Sequence, residues 1–200
     1  MLFENEHEKC EFLKAFGTMV PSITFAYIKH FIDEKRLNPN NSSPFESDDI
    51  ISILSHFSHS DESDIVIALT LMVEYISVKP KEIENVAKII SEYWIYDDID
   101  YVNLYKRETT IIDAIINLSG NSEIGFHFSS LILPSYLKFT YSLTRAKGRQ
   151  FMYGKYPVII SDELKNNRKK VWKWIISNIS KIDHLVFIKK LYRDFYRTEL

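Results

Sequence analysis

Cysteine is almost missing from this chain: Cys10 is the single one in 200 residues. An intramolecular disulfide is thereby excluded, and a reducing cytosol is the natural expectation. Glycine and proline are sparse too, at five and six residues, which argues against a turn-rich all-β protein. Long apolar runs are also lacking. The longest, Ile65 to Val73 interrupted only by Thr70, is fenced by Asp64 and Glu74. That is about half of the ~20 residues a bilayer-spanning helix needs. The opening MLFENEHEKCEFLK has four Glu before residue 12 and no basic stretch leading into an apolar one. It does not read as a secretory signal. The expectation is a soluble cytoplasmic protein with no membrane partner.

What the chain does have is material for a core, with 46% hydrophobic and 26% charged residues. A chain of this size buries on the order of 24,000 Å² on folding, enough without metal or disulfide. Its net charge of −2 conceals a strong asymmetry. Residues 1–100 hold 19 Asp/Glu against 8 Lys/Arg, and residues 101–200 hold 8 against 17. Such a division suggests one acidic and one basic face or end, a property of association rather than of fold. Internal pairing of the two halves is the plain alternative.

Helical periodicity recurs along most of the chain. Ile50, Ile53, Leu54 and Phe57 form one stripe at i, i+3, i+4, i+7. A second runs through Ile65, Leu69, Met72, Val73 and Ile76, a third through Ile83, Val86, Ala87, Ile90 and Trp94. Asp97-Asp98-Ile99-Asp100 breaks the third, and a fourth follows through Leu104, Ile111, Ile112, Ile115 and Leu118 up to Gly120. Two opening helices are predicted within 1–37, and residues 123–144 read as helical with a bend or restart at Pro134. Periodicity lapses over TRAKGRQFMYGKYP, predicting a basic loop at 144–157, before closing helices within 162–197.

Residues 48–77 and 81–118 each read as helix, polar turn, helix, with starts 33 residues apart. A spacing of this order fits stacked helical hairpins. The stretch DIISILSHFSHSDESDIVIALTLMVEYI, Asp49 to Ile76, resembles a HEAT repeat, although Val66 is followed by Ile67 where HEAT units usually place Arg. The expected fold is therefore all-α: a single domain over 1–200 built as a short HEAT-like α-solenoid of antiparallel hairpins, with the repeats spanning 45–140. An irregular helical bundle is the alternative, since any buried helix shows such stripes.

No catalytic constellation emerges. His56-x-x-His59 with Asp61 has partial metal-ligand spacing, but lacks the zincin Glu. Asp97-Asp98-x-Asp100 is similar to the aspartate-rich sites of prenyl-transferring enzymes without the second acidic motif those require. Cys10 lies among Glu8 and Glu11, which disfavour a thiolate. No nucleophile elbow, P-loop or dinucleotide fingerprint occurs. Neither enzyme activity, nor a metal, nor a cofactor is expected.

Two partner-binding features remain. Acidic and aromatic residues interleave at Glu92, Tyr93, Trp94, Tyr96, Asp97, Asp98, Asp100 and Tyr101, with Asp61, Glu62 and Asp64 as a second acidic group. Rings supply apolar contact with a polar handle, and carboxylates raise the on-rate of a basic partner. The chain's size, acidic character and missing catalytic apparatus look like those of a bacterial immunity protein, which implies occlusion of a basic, nuclease-type toxin domain. The alternative lies in the other half. Arg145, Lys147, Arg149, Lys155, Arg168, Lys169 and Lys170 could follow a phosphate backbone, as in HEAT-like DNA-repair proteins.

Overall fold

A computed structural model of the chain describes residues 5–39, 47–94, 101–152, 161–183 and 185–195. Among these the fold is all-α, with nine α-helices and no strand. They are α1 (Glu6–Phe16), α2 (Pro21–Leu37), α3 (Ser47–Ser55), α4 (Glu62–Val78), α5 (Ile83–Ile89), α6 (Tyr101–Ser119), α7 (Glu123–Met152), α8 (Asp162–Asn178) and α9 (Leu185–Phe195).

Local chemistry places several helix starts. Asn5 Oδ1 accepts from Glu8 N at 2.9 Å and Ser161 Oγ accepts from Leu164 N at 3.1 Å. Each supplies an acceptor for a backbone donor that the first turn leaves open. Pro21 opens α2, where its fixed φ suits the first turn and its missing N–H costs nothing. At the start of α4, Glu62 and Asp64 complement the positive end of the helix dipole.

Helices two apart in sequence are neighbours in space. α2 packs on α4, α4 on α6, and α6 on α8; on the other side α1 packs on α3, α5 on α7, and α7 on α9. Polar ties repeat the same rule. Lys14 of α1 pairs with Asp49 of α3, Lys29 of α2 with Glu74 of α4, and Lys170 of α8 with Asp113 of α6. Thr109 of α6 and Asn167 of α8 exchange two hydrogen bonds, at 3.2 and 3.0 Å. Such partly exposed ion pairs contribute little, about 0–1 kcal/mol each at the surface, so they mark the register rather than hold it.

Cohesion comes from the apolar residues between the layers. Ile53, Phe57, Leu69, Met72, Ile112, Ile115, Ile132 and Leu133 are all fully buried, each worth roughly 1.5–3 kcal/mol of transfer free energy. Phe25 meets Phe57 at 4.5 Å between ring centroids. Trp94 is buried and its indole N–H donates to Ser55 O at 3.1 Å, tying the end of α3 to the turn after α5. α6 and α7 approach closely because Gly125 and Ser129 present almost no side chain there; Ser129 Oγ donates to Ile115 O at 2.8 Å.

Two predicted elements differ. The third stripe is not one helix: a 3-10 turn at Pro80–Glu82 leads into α5, and residues Ile90–Trp94 widen into a π-helical turn. The chain also continues as helix well past 144, where a loop was expected. α7 runs unbroken from Glu123 to Met152, through Pro134. Arg145, Ala146, Lys147, Arg149 and Gln150 are strong helix formers, and Gly148 alone costs only about 1 kcal/mol. Beside Pro134, Ser135 Oγ donates to Leu131 O at 3.0 Å, a local side-chain bond in the turn where proline removes a backbone donor.

Candidate functional site

The acidic surface predicted from sequence is described in part. Asp61 and Glu62 are exposed at the entry to α4, and Asp64 is half-buried. One turn further, Val66 and Ile67 are 41% and 42% exposed. The result is a mixed acidic and aliphatic surface on the first two turns of α4. Trp94 is not part of any surface, because its ring lies in the core. Tyr96, Asp97, Asp98 and Asp100 lie outside the described residues, as do the side chains of Glu92, Tyr93 and Tyr101.

The basic set divides differently. Lys169 and Lys170 are exposed on α8, and Lys170 Nζ reaches both carboxylate oxygens of Asp113 at 2.7 Å. Arg168 must be removed from a phosphate-facing surface: it is 0% exposed and its guanidinium is used internally. Arg145, Lys147 and Arg149 fall within α7, but their side chains lie outside the described residues, and so does all of Lys155.

The other constellations reduce to local structure. His56 is exposed, and the ring Nδ1 of His59 meets the guanidinium of Arg107 on α6. Among the described residues no group of three or more His, Cys, Asp or Glu side chains could hold a metal ion. Burial, followed by the charge of Asp49, pushes the Cys10 thiol up to about 11, so it is held as the unreactive thiol.

One polar cluster escaped the sequence reading altogether. Glu108 of α6 is 5% exposed, with the buried side chains of Tyr136 on α7 and Arg168 on α8 acting on it. Burial dominates and raises the carboxyl to about 7; the Tyr136 hydroxyl and the Arg168 charge oppose it without winning. Glu108 Oε1 accepts no hydrogen bond. The guanidinium instead donates from Nη2 to Thr140 O at 2.7 Å and from Nε to Thr140 Oγ1 at 3.3 Å. It also stacks 4.2 Å from the Tyr141 ring centroid. The Tyr141 hydroxyl accepts from Trp172 Nε1 at 2.9 Å, and the Trp172 ring meets Tyr192 of α9 edge-on at 6.1 Å. The missed signal was positional. Glu108 falls in register with Leu104, Ile111, Ile112 and Ile115, and Arg168 with Leu164, Val171, Trp172 and Ile175. Two ionisable side chains standing on apolar stripes announce that both are buried.

No protein-family model, curated protein or solved structure matches the chain.

Proposed function

We propose that this chain is a macromolecule-binding protein with no catalysis of its own: a HEAT-like stack of hairpins acting as an immunity protein that occludes a basic, nuclease-type toxin. The observation that carries the reading is the surface at the start of α4, where exposed Asp61 and Glu62 adjoin exposed Val66 and Ile67. Carboxylates steer a basic partner, and aliphatic side chains beside them supply the desolvated contact that slows its departure. The acid excess of residues 1–100 extends the same field.

Nucleic-acid binding through the basic half is the second reading. Exposed Lys169 favours it, but Arg168 is spent in the core and Lys170 is shared with Asp113. The test uses the purified protein encoded by the adjacent reading frame, alongside labelled duplex and single-stranded DNA. The combined reversal Asp61→Lys, Glu62→Lys, Asp97→Lys, Asp98→Lys and Asp100→Lys should lower the association rate for the protein partner and flatten its salt dependence. Unchanged capture and salt slope would overturn the proposal. DNA binding at low salt that Lys169→Glu abolishes would establish the second reading in its place.

A further inference from the structure

We propose that the junction of α6, α7 and α8 is a proton-linked switch, in which Arg168 exchanges Thr140 and the Tyr141 ring for the Glu108 carboxylate when Glu108 releases its proton to water. The argument begins with burial. A charged guanidinium that is 0% exposed requires acceptors, and Thr140 and the Tyr141 ring are among those that hold it in the structure. With Glu108 neutral, the carboxyl offers no charge, and Arg168 binds the Thr140 carbonyl and hydroxyl and the face of Tyr141. With Glu108 ionised, a carboxylate within the same closed cluster is the stronger acceptor, because charge-assisted bonds are roughly twice as strong as neutral ones. Oε1 is open to receive such a bond.

Among the described residues, the titratable and charged groups that face the carboxyl come from α4, α7 and α8. α7 presents the Tyr136 hydroxyl, and α8 presents Arg168. On α6 itself Arg107 turns toward His59. On α4, the remaining helix packed on α6, Glu74 is tied to Lys29 of α2, while Glu62 and Asp64 sit at the solvent-facing start. Burial, opposed by these two partners, raises the proton affinity of Glu108 into the neutral range. Beyond Arg168 the chain of contacts continues without a gap. Tyr141 holds the Trp172 indole N–H, and Trp172 abuts Tyr192 on α9. Release of Tyr141 by the guanidinium therefore alters the seat of the last helix.

Two resonances test this in the intact protein: the Glu108 side-chain carboxyl carbon and the Trp172 indole N–H, followed by NMR from pH 5 to 9. In the wild type both should move together, with a common midpoint near 7. In Glu108→Gln the Trp172 resonance should stay fixed over that range, which ties its movement to the Glu108 proton. A Glu108 carboxyl that titrates in the ordinary carboxylate range would overturn the proposal, and this reading needs no variant. So would a Trp172 shift that persists in Glu108→Gln, or one absent in the wild type while Glu108 titrates.

Discussion

Glu108 controls how stability responds to acidity. Its carboxyl ordinarily titrates near 4.5 and in the folded chain near 7. Between those values the unfolded chain has released this proton and the native state retains it, so rising pH favours unfolding. The contribution is favourable below about 4.5 relative to higher pH, declines through the window, and is fully lost above about 7. At about 1.4 kcal/mol per pH unit the whole loss is on the order of 3 kcal/mol. Glutamine cannot ionise. The melting temperature of Glu108→Gln should therefore climb relative to wild type between pH 5 and pH 8, as followed by circular dichroism. Parallel curves would show that the carboxyl is not held neutral. The residue was legible in principle, as a charge standing in an apolar register. What the sequence could not convey is that its partners come from helices beginning 15 and 54 residues further on, at Glu123 and Asp162.

At the scale of elements, the helices were readable wherever an apolar stripe recurs at helical spacing, as in α3, α4, α6 and α8. Reading failed where the stripe and the backbone part company. Residues 144–152 lack a regular stripe, yet their composition favours helix and an established helix simply propagates through them. The segment Ile83 to Trp94 has a regular stripe, yet it changes winding after Ile89. Periodicity reports burial, and the backbone form follows only indirectly. The α6–α7 hairpin offers a sharp test of packing over propensity. A Cβ at Gly125 would lie 2.2 Å from Leu118 O, an atom of backbone that cannot step aside. Gly125→Ala should thus cost roughly 1–3 kcal/mol by overpacking, although alanine is ordinarily the better helix former. At Gly120 the nearest such atom is Asn117 O at 3.6 Å, ordinary contact, so Gly120→Ala should be close to neutral. Urea denaturation of the two variants measures the contrast.

For the whole molecule, the all-α class follows from composition, and the order of packing is the finding that composition could not supply. Among the described residues, most of the strongest helix–helix contacts join elements one or two apart in sequence. The charge asymmetry, visible as a count, acquires a location only where side chains such as Asp61, Glu62 and Lys169 reach solvent. Arg168 shows how a count misleads, since a guanidinium inside the core cannot contact a partner's phosphate.

Such an arrangement has a mechanical corollary. Load is passed from each rib to the next, and the terminal rib, α9, rests chiefly on α7 and on the Trp172–Tyr192 edge. Amide exchange with deuterium should accordingly be graded: fastest in α9, slowest in α4 and α6, which each pack against three or more other helices. A single uniform protection factor across all helices would mean that the chain comes apart in one step, like a sphere rather than a ladder.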